Sequence, residues 1–355
     1  MRPADRLCLS IVRETGCPYG AIASKSALSR ETPMQSISRR SFVISAAAAG
    51  AAFGLDGPLE FIRPARAQTA SNSFAKFKVG DWNVTTVYDG IWEKAHDPGF
   101  IKNASVDDTK AELRNAGMTD AFVPVPFTVT LVEKDGKIVM FDAGTGGQLS
   151  PKAGLLAKQN LKAAGIDADK ISTIVVTHFH PDHIFGLMAK DTNAQIFPNA
   201  EIVVPAGEYK YWTDPALLTT LPAARQGLVK RVQATMPSWK NLKQVADGAE
   251  ATAGIRALNT NGHTPGHTSY ELASGSAKLI VTGDVTNIPA LFMKHPGWHA
   301  AFDQDAALAE KSRKAVFSQA VSDGSTLTGY HWGMPGAGTI KKDGDGYALV
   351  PVTPA

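Results

Sequence analysis

Cysteine is almost missing from these 355 residues: Cys8 and Cys17 are the only two, and both stand near the N-terminus. Past them no disulfide and no thiolate ligand can form. A metal site in the rest of the chain has to be built from His, Asp and Glu. An excess of one charge is missing as well. The formal net charge is +3, but residues 1–67 hold 9 of the 36 Lys and Arg and 5 of the 33 Asp and Glu. The 27 basic and 28 acidic residues that follow leave a near-neutral body with no electrostatic footprint for nucleic acid. A membrane-spanning run is the third absence. The uncharged stretch from Ser41 to Leu55 is 15 weakly apolar residues, short of the roughly 20 that a bilayer requires. No stable membrane anchor is expected.

What precedes that stretch is Ser38-Arg39-Arg40-Ser41-Phe42-Val43, and Ala65-Arg66-Ala67 after it gives an A-x-A cleavage pattern. The combination resembles a twin-arginine export signal. Residues 1–67 are therefore expected to be an N-terminal extension and a removed signal peptide, with Met34 as an alternative start. Residues 68–355 are expected to form a single domain, exported to the periplasm or beyond the cell. The twin-arginine machinery is then a partner. That route carries folded proteins, so a metal site would assemble before transport.

Chemistry concentrates in Thr177-His178-Phe179-His180-Pro181-Asp182-His183. The run follows Ile174-Val175-Val176, a β-branched apolar stretch that reads as a buried strand. In extended chain, residues two apart point the same way, so His178 and His180 can reach one point. Pro181 ends the strand by removing a ladder donor. Asp182 and His183 come on the turn after it and can face a second centre. Imidazole and carboxylate are the ligands that suit zinc and its neighbours.

Along the rest of the chain, Phe74 to Val87 reads as two strands with Gly80-Asp81 as their turn, and Asp89-Gly90 is a second turn signal. A short helix over Val106–Ala116 precedes a strong strand at Val123–Val132. Lys134-Asp135-Gly136-Lys137 predicts a hairpin into Ile138–Phe141, which ends in Asp142-Ala143-Gly144-Thr145-Gly146. Lys152–Ala164 reads as a helix, 172–176 and Ala200–Pro205 as strands, and Glu208–Val232 as helix broken at Pro215 and Pro222. Gly254–Asn259 and Thr268–Ala273 are strands, as is Leu279–Thr282. Asp303–Val321 is a helix, and Thr326–Gly329 is expected to be the last strand. Two clusters of strands, each followed by helices, suggest two packed sheets with helical cover.

Three more ligand-type residues stand just past strand ends: His263, Asp284 and His331. With the cluster they make seven candidates, enough for two ions. The motifs THFHPDH at 177–183, GHTPGHT at 262–268 and TGD at 282–284, with the isolated His331, resemble the metallo-β-lactamase superfamily. The match runs from about Phe74 to the C-terminus. The resemblance implies an α/β fold, the four-layer αββα sandwich, with a dinuclear site at one edge. It implies His178, His180 and His263 as ligands of one metal, Asp182, His183 and His331 of the other, and Asp284 between them. Asp142 and His267 would support these ligands. Asp182 and Asp284 would also serve catalysis.

The implied activity is hydrolysis by a hydroxide bridging two divalent metals, zinc foremost and manganese, cobalt or iron as alternatives. The closest resemblance is to the exported branch with methyl parathion hydrolase and lactonases, so lactones, aryl esters or phosphotriesters are the expected small-molecule substrates. Many true β-lactamases carry Cys where Asp284 stands, which counts against β-lactams. A glyoxalase-type thioesterase and a metal-binding protein without turnover are the other readings. A homodimer is left open. Leu149, Tyr211, Trp212, Leu291 and Phe292 are expected to line the substrate mouth, with Lys294 as its nearest cation.

Overall fold

Turn chemistry and doubly buried apolar runs set the strand order in the computed structural model, which describes residues 73–355. The expected signal segment lies outside the described residues. β1 (Phe74–Val79) and β2 (Trp82–Lys94) form the first hairpin. β3 (Val123–Lys134) and β4 (Lys137–Phe141) form the second, closed by Asp135 and Gly136 at positive φ of 52° and 72°. Two such residues make the turn whose twist matches paired strands. β5 (Ile171–Val175), β6 (Glu201–Pro205) and β7 (Leu242–Val245) extend the sheet in parallel, in the order β1-β2-β3-β4-β5-β6-β7. The second sheet holds β8 (Glu250–Thr252), β9 (Ile255–Asn259), β10 (Thr268–Ser274), β11 (Ala277–Val281), β12 (Thr326–Thr328), β13 (Ala337–Asp343) and β14 (Gly346–Pro351), with β8 and β14 at its edges. Only the β11–β12 pair is parallel there.

Period-two alternation divides the apolar side chains among layers. Val139, Phe141, Val175 and Val203 of the first sheet meet Tyr270, Leu272, Leu279 and Val281 of the second. Met140, Ile174, Val176 and Ile202 face the other way. There they pack with α1 (Val106–Asn115), α3 (Ala206–Thr213), α4 (Ala223–Thr235) and α5 (Pro289–Phe292), while α2 (Pro181–Ile184) is the turn after β5. α6 (Ala306–Asp323) covers the second sheet with Val316, Phe317 and Ala320 against Ile280, Leu327 and Ile340. Asp305 caps its start by accepting from the Leu308 N–H, and Gly324 ends it at φ 64°. The layers are those of the expected αββα sandwich.

Two expectations need correction. Thr326–Gly329 is not the last strand, because β13 and β14 follow it. Asp89-Gly90 is not a turn between strands. It is a bulge inside β2, where the register shifts between Tyr88 and Gly90. The bulge sends the Asp89 carboxylate inward, where it accepts from the Thr145 N–H, the Thr145 hydroxyl and the Leu156 N–H. That buried carboxylate fastens the loop after β4.

Candidate metal centre

Parallel pairing places the C-terminal ends of β4 and β5 side by side, and likewise those of β11 and β12. The sheets are tied at this edge by the Thr268 N–H to the Thr177 carbonyl and by the Tyr270 hydroxyl to the Val176 carbonyl. Every sequence-predicted ligand therefore arrives at one edge. His178 and His180 leave β5, and Asp182 and His183 lie on α2. His263 comes from the β9–β10 loop, Asp284 follows β11, and His331 follows β12. Gly283 makes the turn before Asp284 at φ 55°, where a Cβ would lie 2.8 Å from His267 Nε2.

The side chains form two groups: His178, His180, His263 and Asp284, and Asp182, His183 and His331, each with ligand atoms within 4.8 Å of one another. In the first group His180 Nδ1 stands 3.0 Å from His178 Nε2 and 2.9 Å from His263 Nε2. Three imidazole nitrogens face one point, at a spacing suited to ligands each about 2 Å from a single ion. In the second group Asp182 Oδ2 lies 3.5 Å from His183 Nε2 and 3.3 Å from His331 Nε2. Asp284 reaches both groups: Oδ2 is 3.3 Å from His263 Nε2, and Oδ1 is 3.3 Å from His183 Nε2. His183 Nε2 and Asp284 Oδ1 are buried with no hydrogen-bond partner. Orphaning two polar atoms costs about 1–3 kcal/mol each, a cost that a cation between them removes. The donor set fits divalent metal.

Hydrogen bonds fix the tautomers so that the ligating nitrogens stay free. His183 Nδ1–H donates to Asp142 Oδ2 at 2.8 Å, and His263 Nδ1–H to Asp303 Oδ1 at 2.8 Å. His331 Nδ1–H donates to the Pro126 carbonyl at 2.8 Å. Asp142 also accepts from the Thr177 N–H and hydroxyl, which leaves Thr177 Oγ1 to accept from His178 Nδ1–H. To do this Asp142 adopts φ 61°, a strained region for a non-glycine residue. His267 lies behind the ligands. Its Nε2 accepts from the Asp284 N–H at 3.0 Å, and burial pushes its pKa down to about 3, so it stays neutral.

Burial would lower His263 and His331 too. The carboxylates of Asp284 and Asp303 hold His263 up at about 9, and those of Asp284 and Asp182 hold His331 up at about 10. For Asp284, burial is outweighed by His331 and His183, which keep its carboxyl well below the usual range. Negative potential thus gathers where a cation would sit. His178, His183, His263, Asp284 and His331 are buried, whereas His180 and Asp182 are partly exposed and mark the open side.

Four supports were not singled out from the sequence. Tyr330 stacks on the His183 ring at 3.8 Å and donates to the Asp182 carbonyl. Glu208 is fully buried beneath both ligand loops. Asp303, which holds His263, pairs with Arg313 Nη2 at 3.3 Å, and the same guanidinium donates to the carbonyls of Val285, Pro296 and Trp298. Replacing Arg313 with Leu strips the buried Asp303 carboxylate of its guanidinium, leaving His263 as its side-chain partner, and leaves three carbonyls without that donor. A loss of about 3–5 kcal/mol is expected, read by denaturant unfolding. A loss below about 1 kcal/mol would show that the segment is held otherwise.

The expected substrate walls fare unevenly. Leu291 and Phe292 have no exposure and belong to the core, and Trp212 at 2% stands behind His180. These three are corrected from walls of a mouth to packing. Leu149 is exposed at 45%. Tyr211 is half-buried, and its hydroxyl donates to Gln304, whose N–H donates to the His263 carbonyl. Lys294 is paired with Asp343 at 2.8 Å.

Residues 124–331 match the family described as the Metallo-beta-lactamase superfamily, more than half of the chain. AidC, a dizinc quorum-quenching lactonase, superposes with a TM-score of 0.73 at 26% identity, over 79% of this chain and 98% of that one. AbOPH, a hydrolase in the beta lactamase superfamily, gives 0.73 and 26% over 81% and 99%. An N-acyl homoserine lactonase from Bacillus sp is 27% identical over 154 residues, 43% of this chain. The match spans 53% of that lactonase's length, and a match to the Bacillus subtilis protein YobT spans 59% of its length. AidC is a dizinc lactonase and AbOPH a hydrolase, and the donor set of this chain fits divalent metal.

Proposed function

Since the chain belongs to the metallo-beta-lactamase superfamily, we propose that it is a dinuclear hydrolase acting on lactones and related esters. The carrying observation is that His180 Nδ1 stands within 3.0 Å of both His178 Nε2 and His263 Nε2 while the Asp284 carboxylate reaches both ligand groups. His178, His180 and His263 would hold one ion, Asp182, His183 and His331 the other, and Asp284 would serve both. Bound there, two divalent cations supply Lewis acidity and a water of lowered pKa. The chain's own residues do the rest. Asp142, Asp303 and the Pro126 carbonyl orient imidazoles so that their free nitrogens face inward. Burial keeps bulk water from five of the seven ligands. Asp284 or Asp182, the latter 18% exposed, would take a proton from the attacking water and pass it on. The lactone class is supported by the likeness to AidC, a lactonase. No Ser or Cys nucleophile is needed.

Elemental analysis of metal-replete protein is expected to give two ions per chain. A chelator should abolish lactone hydrolysis, and zinc, manganese or cobalt should restore it. Restoration separates this reading from that of a metal-binding protein without turnover. Well under one ion per chain after metal-replete expression would overturn it.

A further inference from the structure

Glu208 is the third residue of α3, and its side chain is fully buried. Four hydrogen bonds end on its carboxylate. Oε1 accepts from the Phe179 N–H at 2.9 Å and from Trp212 Nε1–H at 2.6 Å. Oε2 accepts from the Thr264 hydroxyl at 2.8 Å and from the Gly266 N–H at 2.9 Å. Phe179 lies between His178 and His180. Thr264 directly follows His263, and Gly266 directly precedes His267. One carboxylate therefore joins the ligand loop of the first sheet to the ligand loop of the second.

The fit is close. A Cβ on Gly266 would lie 2.0 Å from the Glu208 nitrogen, so only glycine lets the second loop rest on the first turn of α3. Three of the four donors are N–H groups, which cannot turn into acceptors. Both oxygens must accept, which a carboxylate can do and an amide cannot. An unpaired buried charge is costly, and here every oxygen is filled by two donors. The bonds have a directed consequence. His180 Nδ1 meets His178 Nε2 and His263 Nε2 across the junction that Glu208 closes. The second ligand group rests elsewhere, on Asp142 and the Pro126 carbonyl.

Building on the dinuclear reading, we propose that Glu208 is a positioning residue for the His178, His180 and His263 site. It sets the affinity of that site for a divalent cation while leaving the Asp182, His183 and His331 site little affected.

The test is Glu208→Gln in the full chain, an isosteric change that turns an amide N–H₂ against at least one fixed donor, the Gly266 N–H on one side or the Phe179 and Trp212 N–H groups on the other. Zinc is titrated against a competing chelator, and the His180→Ala and His183→Ala variants assign the two binding steps. The step assigned to the first site is expected to weaken about 10–100-fold, with the other step within about twofold of wild type. Unchanged affinity at both steps, or an equal fall in both, would overturn the proposal, since general loosening of the fold acts on both sites alike. If Glu208→Gln does not fold, Thr264→Val removes a single donor and is judged by the same selective weakening and the same contrary outcomes. A wild-type chain with one binding step overturns the dinuclear reading together with this one. Two wild-type steps with no selectivity in the variant overturn the role of Glu208 alone.

Discussion

Replacing Asp284 with Ala is expected to reduce kcat/KM for a lactone by about 1,000-fold or more and to weaken both metal sites at once. No other candidate ligand is placed to do this. Its Oδ2 lies 3.3 Å from His263 Nε2 and 3.1 Å from His331 Nε2, and its Oδ1 lies 3.3 Å from His183 Nε2. The side chain thus reaches imidazoles of both groups. Lewis-acid stabilisation is worth several kcal/mol, and each 1.4 kcal/mol is about tenfold in rate. Removing the carboxylate also takes from His183, His263 and His331 one of the anions that offset their burial, the one all three share. His183→Ala, by contrast, should weaken the second site more than the first. The measurement is metal content per chain beside kcat/KM for both variants. An Asp284→Ala protein that keeps two ions and more than about a tenth of its activity would remove Asp284 from this role.

The parts of this structure that were legible in the sequence share a physical reason. β4, β5 and β11 end in apolar residues buried on both faces, Val139-Met140-Phe141, Ile174-Val175 and Leu279-Ile280-Val281, and the Asp135-Gly136 turn carries the positive φ its hairpin needs. β13 and β14 were missed because they lie toward one edge of their sheet. Lys341, Lys342 and Asp343 are exposed there, so no apolar period marks the segment. Asp89-Gly90 carries a turn signature that the fold spends on a bulge. The ligands could be read because each stands just past a strand end, and four of them fall in one short run. Their supports could not. Glu208 and Arg313 look like ordinary polar residues of helices until the fold buries them, and Asp303 looks like a helix-start residue. Leu291 and Phe292 failed in the opposite sense, since apolar side chains near a site serve a wall and a core equally well. Only the fold separates the two.

Lactones or aryl esters are expected to be turned over at least about 100-fold better than β-lactams, as kcat/KM at one pH and one metal content. The first ground is the residue between the ligand groups. Asp284 stands where many β-lactamases place a thiolate, and the only thiols, Cys8 and Cys17, lie outside the described residues. The second ground is charge. A β-lactam brings a carboxylate that has to be matched by a cation at the mouth. Lys294, the cation expected there from the sequence, is engaged with Asp343 at 2.8 Å. The partly exposed carboxylate of Asp182 on the open side adds negative potential against an anionic substrate. A neutral ring meets neither penalty and leaves polar recognition to the site itself. Tyr211, half-buried and linked through Gln304 to the His263 loop, is the aromatic group we propose to contact such a ring. The comparison needs four substrates: an aryl ester, a γ- or δ-lactone, a phosphotriester and a β-lactam. A β-lactam that matched the best lactone or aryl ester would overturn this reading of specificity even with two metals confirmed. A phosphotriester that outran both would move the preference to phosphorus centres while keeping the same ligands.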